Sequence, residues 1–338
     1  MQNVQTEITV AQDLLNENGT LAVQGWARSP LLRYDRSQVA APSYRVVEQD
    51  SYFICSRDII LILTVGCFGL KAAACVTLIN KAGSSLQVRQ SSAAKFIAPS
   101  GTMMPASPLS GDVTFNNKRV GINFSQAAGK RFLKCEFINF FEGKNLYFSL
   151  SLKQTMPDYL SIAQPLAGRN TFYYAAHGSC MAASGTIKCG GEVYTLHEKD
   201  ACATLTWSRG TRGKRDGGQI YACGLGSDGF LGFWVPIFQP GTQHAASTTP
   251  QTGALFLQEG LSPISGIAAQ STEKALKSPA HLASEDGMFS ALWRPQLEYS
   301  DHALAGTRLI GSLDGTYLDA RGSSHSFAGF TGCMELFA

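Results

Sequence analysis

The chain has 338 residues, 44% of them apolar, enough for one large or two ordinary domains with a substantial core, and this excludes a disordered chain. Charged residues make up only 16% while glycines number 34, a balance that favours tightly turned β-structure over surface helices. A net charge of +3 is too small to imply nucleic acid, and the basic run 209–215 has no aromatic residue interleaved after Trp207, so it reads as a solvated loop.

Residues 1–7 lack the basic start and continuous apolar core of a secretory signal, so a cytoplasmic location is expected. Up to about residue 21 the spacing predicts a short amphipathic helix, with Ile8, Ala11, Leu14 and Leu15 on one face before Asn18 and Gly19 end it. Residues 25–30, which include Trp26 and Arg28, form an extended segment without regular periodicity, and 33–42 read as surface loop. The apolar run 59–79 is nearly long enough to span a bilayer, but Lys71 at its middle would cost about 3 kcal/mol there. Gly66 and Gly69 divide the run into two β-branched halves, which predicts a buried hairpin and no transmembrane segment.

Alternation then recurs in 86–96, 112–115, 119–124, 131–137 and 145–152, with Asn116-Asn117 suited to a type I′ reversal. Short turns without helical interludes argue against a parallel α/β sheet. Pro157 and Pro165 mark the expected crossing between an N-terminal β lobe, 1–165, and a C-terminal β lobe, 166–338. Strand texture continues in 171–176, 219–225, 229–238, 254–258, 289–299, 307–313 and 317–320, with a loop over 239–251 and a turn at Asp314-Gly315. Residues 265–285 have no readable period. The fold class expected is mostly β, with two antiparallel sandwich- or barrel-like lobes and few short helices.

The most ordered stretch is 179–209. Gly185-Thr186-Ile187-Lys188-Cys189 and Glu192-Val193-Tyr194-Thr195-Leu196 alternate on either side of Gly190-Gly191, a hairpin turn, and a further strand ends on Trp207-Ser208-Arg209-Gly210. This order of a small-residue segment, an S-G-T hairpin on a G-G turn and a W-x-R-G ending resembles the signature of the domain of unknown function 2804 family. Other segments agree with it: Gly25-Trp26-Ala27-Arg28-Ser29-Pro30 near the start, Gly111-Asp112-Val113-Thr114-Phe115 in the first half, and Gly329-Phe330 near the end. The resemblance implies two lipocalin-like (calycin-like) lobes, as in relatives of hydroxyneurosporene synthase and tocopherol cyclase, each enclosing an apolar cavity. Where that family carries an acid before the tryptophan, this chain has Thr206.

Candidate site residues are few. Arg209 beside Trp207 offers a cation–π contact and a rigid donor fork for a carbonyl or carboxylate; a core tryptophan with a surface arginine is the plainer alternative. His177 and Arg209 are the catalytic candidates, and Trp26, Arg28, Trp207, Arg209 and His177 the ligand-binding ones. The nine cysteines, at 55, 67, 75, 135, 180, 189, 202, 223 and 333, show no two-residue spacing and several fall among apolar residues, so free buried thiols in a reducing compartment are expected. The six histidines show no ligand spacing, and Gly224-Leu225-Gly226 opens no helix, so neither metal nor cofactor is expected. Three readings stand: binding of a small hydrophobic molecule (lipid, isoprenoid or polyketide-like) in a β-lobe cavity, acid–base isomerisation, hydration or cyclisation of such a molecule, or a structural protein without a cavity. Composition does not indicate an oligomeric state.

Overall fold

The alternating segments become strands because each can bury one face against its own lobe. A computed structural model describes residues 6–83, 85–96, 104–213, 217–226, 229–238, 252–268, 276–300 and 306–337. Near the start, β1 (Gln12–Asp13) pairs in parallel with β3 (Leu32–Arg33), and β2 (Gly25–Ala27) between them joins the first large sheet. That sheet contains two meanders. One is β4 (Val46–Cys55), β5 (Ile59–Phe68), β6 (Lys71–Asn80) and β7 (Gln87–Phe96). The other is β8 (Val113–Asn116), β9 (Val120–Ala127), β10 (Lys130–Phe141) and β11 (Lys144–Lys153).

They are joined by β12 (Leu160–Pro165), β13 (Phe172–Cys189), β14 (Glu192–Leu196) and β15 (Cys202–Thr211). β15 pairs with β4, and β13 pairs with both β15 and β11. The second sheet runs from β16 (Gly218–Gly226) and β17 (Gly229–Phe238) through β18 (Thr252–Leu257), β19 (Gly260–Ser265), β20 (Ile267–Ala268), β21 (Ala280–Ala283), β22 (Phe289–Ser300) and β23 (Thr307–Leu318) to β24 (Ser324–Leu336). β16 pairs with β24 in mid-sheet, so the first and last strands of this stretch of chain lie side by side while β19 and β21 form the edges. Among the described residues the protein is therefore mostly β, with two curled antiparallel sheets of thirteen and nine strands and two single 3-10 turns, Arg36–Gln38 and Ser43–Arg45.

Several expectations are corrected. The change of sheet falls between Thr211 and Gly218, not at residue 165, because β12, which ends on Pro165, pairs with β13 in the same sheet. The S-G-T hairpin and Trp207-Ser208-Arg209-Gly210 therefore belong to the first lobe, not to a lobe beginning at 166. Residues 6–21 form an extended strap rather than a helix: Ile8 N donates to Trp26 O at 2.7 Å and Leu14 N to Arg33 O at 3.0 Å, so the backbone finds its partners in the neighbouring chain. The reversal after β8 is an Asx turn at Asn117, whose side chain accepts from the Arg119 and Val120 amides at 2.8 Å each, instead of a left-handed Asn116-Asn117 pair. Asp314-Gly315 is a bulge inside β23, which is paired on both sides, and not a turn.

The apolar run 59–79 is the buried β5–β6 hairpin, and no helix among the described residues is long and apolar enough to cross a membrane. The expected loop over 239–251 lies outside the described residues.

Candidate functional site

Period-two alternation gives the strands at the lobe junction two different faces. On β15, Ala203, Leu205 and Trp207 enter the first-lobe core while Cys202, Thr204, Thr206 and Ser208 face the other way. On β16, Ile220 and Ala222 enter the second-lobe core while Gln219, Tyr221 and Cys223 look back toward the first. A shared apolar seam results. Across it Phe53 meets Tyr221 edge-on at 5.6 Å, and His177 stacks on Trp234 at 4.2 Å.

Where the seam opens, around the β15–β16 connection, a cleft of about 830 Å³ lies between the lobes. Apolar side chains such as Val47, Phe68, Phe172 and Leu336 supply its walls, and Thr206, Ser208, Gln219, Arg308 and Glu335 add polar groups. Three donors converge on the Glu335 carboxylate: Gln219 Nε2 at 2.7 Å, Tyr221 Oη at 2.8 Å and Arg308 Nε at 3.0 Å. Burial, followed by neighbouring Cys333 and Glu335, pushes the Tyr221 phenol well above its ordinary range, so it stays a donor. Nothing local in the sequence links Tyr221 to Glu335, 114 positions away; alternation in 219–225 could only have shown that Gln219 and Tyr221 share a face.

The residues singled out from the sequence are partly brought together. Trp207 is fully buried, edge-on to Tyr174 at 5.3 Å and to Tyr34 at 6.4 Å, and the Arg209 guanidinium lies 4.2 Å from the Trp207 ring centroid. Arg209 borders the cleft, but it is neither in a solvated loop nor a surface arginine. Its Nη1 donates to Asp50 Oδ1 at 2.9 Å, Gln49 O at 3.1 Å and Ser208 O at 2.8 Å, and Nε and Nη2 both reach Pro105 O. The next acid along β4, buried Glu48, accepts from Tyr34 Oη at 2.8 Å and from Arg36.

His177 is 2% exposed, with Nδ1 3.2 Å from Thr206 Oγ1, so it sits behind the cleft. Trp26 and Arg28 lie elsewhere on the seam. Arg28 pairs with Glu7 at 3.1 Å, lies 5.6 Å from the Trp26 ring centroid and donates to Leu261 O of the second lobe.

Two motif glycines have a steric cause. A Cβ at Gly185 would lie 2.2 Å from Ser149 O, and one at Gly210 would lie 2.3 Å from Phe172 O, so each marks a close backbone approach. Among the described residues no group of three or more His, Cys, Asp or Glu side chains is placed to hold a metal ion.

The architecture is similar to solved two-lobed proteins. Kievitone hydratase from Nectria haematococca is 10% identical, with a TM-score of 0.51 over 97% of this chain and 98% of that one. CghA, solved with the compound Sch210972, is 10% identical, with a TM-score of 0.56 over 99% and 97%. A Nitrosomonas europaea protein provisionally assigned as AttH is 14% identical, with a TM-score of 0.50 over 90% and 96%. These likenesses concern the fold. No curated protein sequence matches the chain. The signature around the Gly190-Gly191 hairpin extends to a match over residues 5–337, and the chain belongs to the family described as domain of unknown function 2804.

Proposed function

We propose that this protein binds a small, largely apolar molecule carrying one polar end, in the cleft between its lobes. The observation that carries the reading is the cleft itself: about 830 Å³, apolar walls, and a carboxylate held by three donors, one of them an arginine. Ligand sites commonly measure about 300–1,000 Å³ and combine apolar lining with a few placed polar groups. The lobe interiors are occupied by large side chains, Trp207, Phe115 and Phe137 in the first and Trp293, Phe233 and Phe289 in the second, which favours a ligand between the lobes over one within either. His177 and Arg209 then act by holding Thr206 and Ser208 in the cleft wall, while Trp26 and Arg28 keep the lobes in register.

Native mass spectrometry of protein purified from its own host, followed by extraction, should find a co-purifying molecule. An apolar fluorescent dye should bind the emptied protein, and Val47→Trp, which fills the cleft from a half-buried position, should weaken that binding at least tenfold. A protein that is empty and ignores a panel of apolar dyes removes the proposal, as does a dye affinity indifferent to Val47→Trp.

One observation favours a second reading, acid–base catalysis on the bound molecule. Glu335 lines the ligand space and accepts from the buried Tyr221 phenol behind it, a carboxylate–phenol pair of the kind that can pass a proton in a hydration or isomerisation. A hydratase is among the proteins of similar architecture. Conversion of the extracted ligand by wild-type protein, lost in Glu335→Gln even at ligand concentrations that saturate the variant, would establish this reading; no conversion leaves a carrier.

A further inference from the structure

Three cysteines meet at the other end of the seam. Cys202 opens β15, Cys223 lies in β16, and their sulfurs are 2.9 Å apart across the boundary between the lobes. Cys55, at the end of β4, is the ladder partner of Cys202. All three line an open pocket of about 170 Å³ together with Lys81, whose Nζ is 3.8 Å from Cys55 Sγ. All nine cysteines are buried and none is in a disulfide, so what sets this group apart is thiols from two lobes in contact beside a route to solvent.

We propose that Cys202 and Cys223 form a redox site, in which oxidation by a small-molecule disulfide joins the two lobes through a Cys202–Cys223 bond. The sulfurs must close by less than about 1 Å to reach the disulfide length of about 2.05 Å. In the first step one of the pair, as thiolate, attacks the small disulfide, breaking its S–S bond, forming a mixed disulfide and releasing one small thiolate. Its neighbour then gives up its proton and attacks the protein sulfur of the mixed disulfide, releasing the second small thiolate. The two protein thiols lose two electrons and two protons, and the small disulfide becomes two thiols. Burial, reinforced by contact with Cys202, pushes the Cys223 thiol well above its ordinary range, so the exchange accelerates with rising pH.

The bond ties residues 21 apart in sequence that belong to different sheets. It also lies at the opposite end of β15 from the ligand cleft, so it anchors the far end of the seam.

The test is peptide mapping of the native protein after oxidised glutathione at mildly alkaline pH. The expected result is an intramolecular peptide pair carrying Cys202 and Cys223, reversed by dithiothreitol, and a midpoint of thermal unfolding raised by several degrees. Cys223→Ser should abolish the pair, and Cys189→Ser, in the first-lobe core, should leave it. Linkage of Cys55 to Cys202 instead, stable glutathione adducts alone, or thiols that stay free until the protein is denatured would each overturn the proposal. The wild-type map decides the matter even if a variant fails to fold. It reads out whether or not the cleft holds a ligand, so its failure is separable from failure of the binding proposal.

Discussion

Arg209 with Asp50 in the first lobe and Arg308 with Glu335 in the second have nearly equal contact distances, 2.9 and 3.0 Å, and both border the cleft region. Their surroundings differ. The side chains of the first pair are 0% and 6% exposed, and the guanidinium is shared among backbone carbonyls of β4, β15 and the segment at Pro105. Those of the second are 10% and 18% exposed, with Gln219 and Tyr221 arrayed around the same carboxylate. A sealed pair serves conformation, since every group it can reach is protein; a half-open pair can exchange part of its hydration for a ligand. A third pair, Arg89 with Glu192, is 11% and 41% exposed and links β7 to β14 at the outside of the first lobe.

Breaking the sealed pair should have the largest effect. Asp50→Ala leaves a buried guanidinium without its counter-charge and should cost about 3–5 kcal/mol in urea or thermal unfolding. A loss below about 1 kcal/mol would show that Arg209 is held by its carbonyls alone. Glu335→Gln should cost less, about 1–2 kcal/mol, because water can reach Arg308, yet it should weaken binding of an anilinonaphthalene-type dye severalfold. Equal dye binding with equal stability loss would make the second pair structural like the first.

The smallest effect belongs to Glu192, whose hydrogen bonds from Arg89 and Tyr194 hold its pKa at about 2 against an ordinary 4.5. A depressed carboxylate contributes stability above its unfolded pKa and loses it as pH falls through the folded one, so this contribution should fade between pH 4.5 and about 2. With the Glu192 side chain 41% exposed, solvent screening reduces it to under about 1 kcal/mol. Glu192→Gln should remove that part of the pH dependence, read as the difference between the two proteins' stability curves. A difference that grows toward acid pH would reverse the sign of the argument.

Much of the first-lobe ladder was legible. The β5–β6 hairpin follows from β-branched runs divided by glycine, and the β13–β14 hairpin from alternation on either side of Gly190-Gly191. Trp207 and Arg209 were also found together, since an i, i+2 pair shares a face of any strand and that rule needs no knowledge of the fold. The helix predicted near Leu14 failed because helical spacing in an isolated stretch cannot compete with hydrogen-bond partners that arrive from Trp26 and Arg33. Pro157 and Pro165 mark a break in the strand pattern, but such a break does not say which sheet the next strand joins, and β13 pairs back onto β12. Gln219, Tyr221, Arg308 and Glu335 escaped notice because each is unremarkable within its own strand.

Local chemistry alone determined that this chain would be antiparallel ribbons with buried thiols, since side chains alternate every second residue and glycine permits reversals. Tertiary pairing decided the rest: that β15 lies beside β4, that β16 meets β24, and hence which outward faces oppose each other across a cleft. The physical reason is range. The period of a strand is fixed by its own backbone, whereas its neighbour is chosen by burial and hydrogen bonding with segments more than a hundred residues away.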